Sequence, residues 1–249
     1  MASTGRVLMG AGLSSALFVG IFAGTLLAGS ANAASTALDV SPVDIVVLAD
    51  ESGSLSASAV RQEKAAAALI AQSELSSRSR VTVLGFGSSN GPGQSAIDVI
   101  CPTTEVTDNL TRTALSRCVE QIKPRTNGND TDFAAALRGA VATLTSTPAN
   151  RPRLVFLLTD GVLDVGNSPS YGPDAAGRTM EAQRQLTDEI LPAAKQAGVQ
   201  IWPLGFGAAN RERLAMLAML ATFGLIFRPA GDKPGPLQAP SGAPCLSVS

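Results

Sequence analysis

Three short stretches of the chain carry oxygen-bearing side chains at spacings that suit a metal ion. Asp50-Glu51-Ser52-Gly53-Ser54 has the form Asp-x-Ser-x-Ser, Asn129-Asp130-Thr131-Asp132 offers a third hydroxyl, and Thr159-Asp160-Gly161 offers a second carboxylate. Two hydroxyls at spacing two on a tight turn, joined by Thr131, Asp50 and Asp160, suit a hard divalent cation. Such a cation takes about six oxygens and keeps several waters, which describes magnesium, with manganese as its close substitute. Serine and threonine hydroxyls are neutral, weak ligands. A cation held mainly by them keeps residual positive charge and attracts an anionic oxygen from outside, such as the carboxylate of a protein partner. Catalysis finds little support. The chain has no His, which excludes a Ser-His-Asp triad, a Cys-His dyad and His-ligated zinc, and Lys64 and Lys195 fall on predicted helices away from the strand ends.

Each of these residues also has a plain structural use. Ser52 and Ser54 suit caps for a helix starting near Leu55, Thr131 suits a cap for the helix it precedes, and Asp160 suits an ordinary Asp-Gly turn. Clustered carboxylates without a cation are costly, which favours the metal over three independent coincidences. Asp130, Asp132 and Asp164 are expected to be solvated loop charges.

The elements that must position these loops alternate. Val43–Asp50, Arg80–Phe86, Arg153–Thr159 and Val199–Gly205 are apolar, β-rich runs, with Ala96–Cys101 a short strand close behind the second. Helical spacing is read over Ala57–Ser76, Thr107–Ile122, Asp132–Leu144, Ala176–Ala197 (ended by Gly198) and Arg211–Ala221, and Leu225–Pro229 reads as a last strand. This alternation predicts an α/β fold: a doubly wound, Rossmann-like, mostly parallel sheet with helices on both faces. The brief loop before Ala96–Cys101 predicts one antiparallel edge strand. Ligand sites of such sheets lie at the carboxyl ends of the strands, where the three oxygen-bearing loops begin.

The motifs DIVVLADESGSLS, NDTDFAAAL and LLTDG, in this order, resemble the von Willebrand factor type A family and its metal-ion-dependent adhesion site. The resemblance covers about residues 42–229. It implies that Ser52, Ser54 and Thr131 bind the metal directly, with Asp50 and Asp160 behind waters or in direct contact according to state. Glu51 and Gly53 stand at the variable positions of the first motif. The family's usual Gly before the threonine is replaced by Asn129-Asp130, a carboxylate that favours a cation and disfavours an acidic partner. Domains of this family close with a helix after the last strand. Here Pro234, Pro236, Pro240 and Pro244 forbid one, and residues 230–249 read as an irregular Pro/Gly-rich tail.

Ahead of the domain, no charged residue occurs from Val7 to Leu38, and the apolar run ends in Gly-Ser-Ala-Asn-Ala. Residues 1–33 therefore read as a cleaved signal peptide, with Ala31 and Ala33 at the small-residue positions. An uncleaved membrane anchor is the alternative. The expected location is secreted, extracellular or in a bacterial cell envelope. In such a compartment Cys101 and Cys118 are expected to form a disulfide, with two buried thiols as the alternative and Cys245 left over. A net charge of −1 gives no case for nucleic acid, and no small-molecule cofactor is called for. Tyr171, the single tyrosine, lies in the long loop Gly161–Gly177 and is a candidate partner contact. The leading expectation is a non-enzymatic, metal-dependent adhesion module. The alternatives are a structural envelope protein with a stabilising metal, or a magnesium phosphohydrolase with Asp50 as nucleophile. The last needs a second Asp where the chain has Ser52.

Overall fold

The computed structural model describes residues 41–206 except 74, 75 and 77, together with Ala215. Its centre is strand β1 (Asp44–Asp50), whose every residue is buried. β1 runs parallel to β2 (Arg80–Phe86) on one side and to β4 (Arg153–Thr159) on the other. β5 (Val199–Gly205) continues parallel beyond β4, and β3 (Ile97–Glu105) lies antiparallel at the β2 edge, giving the order β3-β2-β1-β4-β5. The predicted doubly wound sheet with one antiparallel edge strand is the observed one. Winding reverses between β1 and β4, which opens a crevice at their carboxyl ends.

Burial on both faces follows from the two-residue period of a strand. Val46 and Leu48 face a core with Phe86, Val155 and Leu157, covered by α3 (Phe133–Thr145), α4 (Ala175–Gln185) and α5 (Leu191–Gln196). Ile45, Val47 and Ala49 face a second core with Val81 and Val83, covered by α1 (Ala57–Ser73) and α2 (Asn109–Cys118). α1 presents a buried stripe at every fourth position: Ala59, Glu63, Ala67 and Ala71. Three alanines bring the helix close to the sheet, and the fourth member of the stripe is a carboxylic acid.

Several elements differ from the sequence reading. β3 extends to Glu105, beyond the expected end at Cys101. The helix expected over Thr107–Ile122 is α2 followed by a 3₁₀ turn, Val119–Gln121. Its start is fixed by a capping box, in which Asp108 accepts the Thr111 N–H and Thr111 reaches back to the Asp108 backbone. The single helix expected over Ala176–Ala197 is α4, a π-helical turn at Leu186–Ile190, and α5. Pro192 lacks the N–H that a continuous α-helix would donate four residues back, and the wider turn accommodates that loss. Cys101 and Cys118 form a disulfide with Cα atoms 5.8 Å apart, tying β3 to the end of α2. The expected signal peptide, the strand Leu225–Pro229, the tail at 230–249 and Cys245 lie outside the described residues, as does Arg211–Ala221 apart from Ala215. Among the described residues no helix is long and apolar enough to cross a membrane.

Candidate metal-ion site

β1 ends at Asp50, whose side chain is fully buried. Its Oδ1 accepts the Ser52 N–H at 2.8 Å, which bends the chain into the turn carrying both serines, and its Oδ2 accepts the Thr159 hydroxyl. Burial pushes the Asp50 carboxyl up to about 6, against hydrogen bonds from Thr159 and Ser52, with the charge of Asp160 adding to the rise. A carboxylate held out of water in this way gains from a cation beside it. Ser52 Oγ and Ser54 Oγ lie 2.9 Å apart, and Ser54 Oγ donates to Asp160 Oδ1 at 3.1 Å.

Those separations also test the fit of a metal. Octahedral magnesium with bonds of about 2.0–2.1 Å places neighbouring ligands roughly 2.9 Å apart. The Ser52–Ser54 separation of 2.9 Å and the Ser54–Asp160 separation of 3.1 Å, now bridged by hydrogen bonds, are compatible with neighbouring corners of such an octahedron. Thr131 is buried, and a Cβ added to Gly161 would fall 3.0 Å from its Oγ1 and 3.6 Å from Asp50 Oδ2. The missing side chain at position 161 thus keeps space beside the Thr131 hydroxyl and the Asp50 carboxyl. Among the described residues no group of three or more His, Cys, Asp or Glu side chains is disposed to hold a metal. The donor set is oxygen-only and led by hydroxyls, which suits magnesium or manganese and not zinc.

The capping alternatives do not hold. Ser56 caps α1 by accepting the Ala59 N–H at 3.1 Å, and neither Ser52 nor Ser54 does so. Thr131, expected as the cap of α3, yields that role to Asp132, which accepts the Ala135 N–H at 2.8 Å. Moving the cap one residue leaves the Thr131 hydroxyl uncommitted to the helix.

Asp132 also departs from its expected role as a solvated charge. It is 2% exposed, and the Tyr171 hydroxyl donates to both its carboxyl oxygens at 2.7 and 2.9 Å. This corrects the reading of Tyr171 as a partner contact: it is buried, with its hydroxyl committed to Asp132. Burial raises the pKa of Asp132, and burial with the neighbouring Asp132 raises that of Tyr171. The pair anchors the long loop that begins at Gly161. Asp164 N donates to Thr131 O at 3.0 Å, and Asn167 donates to Asp130, which is half-buried. Asp164 is exposed, as expected.

Beneath the site lies a residue that the sequence reading passed over. Glu63 of α1 is fully buried, and its Oε1 accepts the Asp50 N–H at 2.5 Å. Its Oε2 is buried without a hydrogen-bond partner. Burial first, and the Asp50 charge second, push its carboxyl up to about 9, so it carries a proton at neutral pH. A signal was present: a Glu in phase with Ala59, Ala67 and Ala71 on an apolar stripe.

Residues 45–163, which hold all three oxygen-bearing loops, match the family model of the von Willebrand factor type A domain. Those residues form a von Willebrand factor type A domain. Similar solved structures include the pilus adhesin SpaC of Lactobacillus rhamnosus GG in its open conformation. It is 22% identical, with a TM-score of 0.48 over 74% of this chain and 27% of that one. The manganese-loaded TRAP protein of Plasmodium vivax is 20% identical, with a TM-score of 0.48 over 76% of this chain and 66% of that one. The von Willebrand factor type A protein of Catenulispora acidiphila is 18% identical, with a TM-score of 0.43 over 73% and 42% of the two chains. The chain spans little more than a quarter of the length of the pilus adhesin. No curated protein matches it.

Proposed function

We propose that this type A domain binds magnesium or manganese through Ser52, Ser54 and Thr131, with Asp50 and Asp160 completing the site, and grips a protein partner through that ion. The observation that carries the reading is the trio of Ser52, Ser54 and Asp160 oxygens, 2.9 and 3.1 Å apart from one to the next, at the carboxyl ends of β1 and β4. A cation held mainly by neutral hydroxyls keeps an appetite for an anionic oxygen, which a carboxylate of the partner would satisfy. The domain acts by binding, without catalysis. Ser52 occupies the position where an Asp50-nucleophile phosphatase needs its second Asp, so no turnover of an aryl phosphate is expected. Residues 1–33 are proposed as an export signal, which would deliver the domain to the cell surface or the surroundings of a bacterial cell.

Thermal unfolding with and without metal tests the site. Magnesium or manganese at a hundred times its dissociation constant stabilises the folded state by about 2.7 kcal/mol. For a domain of this size that raises Tm by roughly 5–10 °C. The double variant Asp50→Ala, Ser52→Ala is expected to lose the whole shift. No shift in the intact protein would defeat the metal reading. Capture of a surface partner in magnesium, and its release by chelator, then tests adhesion against a purely stabilising metal.

A further inference from the structure

We infer that Glu51 and Arg125 form a positioning pair for the metal-ion site, a step that rests on the proposed metal reading. Glu51 directly follows Asp50, yet its side chain turns away from the serines and into the fold. Its Oε2 receives Arg125 Nε at 3.2 Å, and its Oε1 receives the Lys123 N–H at 3.4 Å. The two side chains are only 7% and 9% exposed. Arg125 spends its remaining donors across the β2–β3 edge: Ser95 O at 2.9 Å, Gly85 O at 3.4 Å and Asp98 Oδ2 at 2.9 Å.

Two glycines of the β2 end make the room. A Cβ on Gly85 would fall 2.5 Å from Glu51 Oε2, and one on Gly87 would fall 2.9 Å from Arg125 Cδ and 2.3 Å from Gly128 O. The backbone repeats the same connection. Glu51 N donates to Phe86 O at 2.7 Å, Arg125 N to Glu51 O at 2.7 Å, Ser88 N to Gly128 O at 2.8 Å and Gly53 N to Asn129 O at 2.7 Å. Two of the three oxygen-bearing loops, the one holding Ser52 and Ser54 and the one leading to Thr131, are therefore joined directly by the Gly53–Asn129 bond and again through this pair. Neutral hydroxyl ligands hold a cation weakly, so the affinity of the site depends on how firmly they are pre-placed.

Electrostatics and positioning predict opposite outcomes for one variant. Arg125→Met removes a positive charge near a cation site, which by charge alone strengthens cation binding. Removal of a group that orients the ligands weakens it, typically by about 10–100-fold. Gly85→Ala displaces the Glu51 carboxylate without changing any charge. Arg80→Met breaks a comparable ion pair, Arg80 with Asp44 at 2.7 Å, at the opposite end of β1, and serves as the control for stability alone. Mn²⁺ binding to the purified chain is measured by titration calorimetry, with circular dichroism to establish folding. The expected result is Mn²⁺ binding at least about tenfold weaker in Arg125→Met and Gly85→Ala, partial recovery in Arg125→Lys, and no change in Arg80→Met. Wild-type affinity or tighter in Arg125→Met overturns the positioning role. If Arg125→Met does not fold, wild-type affinity in Gly85→Ala overturns it equally. Wild-type protein that binds no Mn²⁺ overturns the metal reading itself, a separate failure.

Discussion

Glu63 is the residue whose replacement reports most directly on the interior of the site. Its carboxyl titrates near 4.5 when unfolded and at about 9 in the fold. The folded chain therefore holds a proton that the unfolded chain releases above pH 4.5, and its contribution to stability is complete below that pH and lost as pH rises toward 9. Between pH 4.5 and 7.5 the loss amounts to about 4 kcal/mol, at 1.36 kcal/mol per pH unit. Glu63→Gln keeps an oxygen for the Asp50 N–H and has no proton to lose. Relative to wild type it should gain about 4 kcal/mol over that interval, or roughly 2 M in urea midpoint at a slope of about 2 kcal/mol/M. Asp50, also raised, titrates in both proteins and cancels in the comparison. Trp202, the single tryptophan, stands on β5 against Phe156 and reports unfolding by fluorescence. The measurement is a set of urea curves from pH 4.5 to 7.5 in chelator. Wild type and Glu63→Gln with parallel pH dependence would refute a protonated Glu63.

Two other perturbations follow from the same contacts. Tyr171→Phe removes a hydrogen bond to the buried Asp132 carboxyl and should cost about 2 kcal/mol in urea unfolding, equally with and without magnesium. An exposed partner contact would instead leave stability unchanged. Reduction of the Cys101–Cys118 disulfide, which closes a separation of 17 residues, should lower stability by about 3 kcal/mol, read as a shift in urea midpoint on adding dithiothreitol.

The fold was legible because its signals are periodic and local. β1 is apolar at almost every position and is buried on both faces, and the gap between β2 and β3 is short enough to force an antiparallel edge. The proposed metal ligands can be named from the sequence because each occupies a short motif at the end of a strand or the start of a helix. What supports them was not, since its meaning lies in partners distant along the chain. Arg125 meets Glu51 across 74 positions and Tyr171 meets Asp132 across 39. No local pattern separates a buried Asp132 from a solvated one, and propensity alone cannot decide between neighbouring Thr131 and Asp132 as the cap. Glu63 is the exception, being visible as a misfit in an alanine stripe.

These supporting residues explain how the site stays hydroxyl-led in acidic surroundings. Glu51, Glu63 and Asp132 all border the proposed ligands, and three free carboxylates there would neutralise a bound cation and remove its attraction for a partner's carboxylate. Each is drawn inward and occupied. Glu51 is paired with Arg125, Glu63 keeps its proton, and Asp132 caps α3 while accepting the Tyr171 hydroxyl. Glu63 holds the end of β1, Asp132 the start of α3, and Glu51 the segment around Arg125. In the proposed site the serine and threonine hydroxyls then face the cation with Asp50 and Asp160, and the half-buried Asp130 beside them, to balance it. On this reasoning the acidity around the motifs rigidifies the proposed site and would preserve the electrophilic face of an ion bound there.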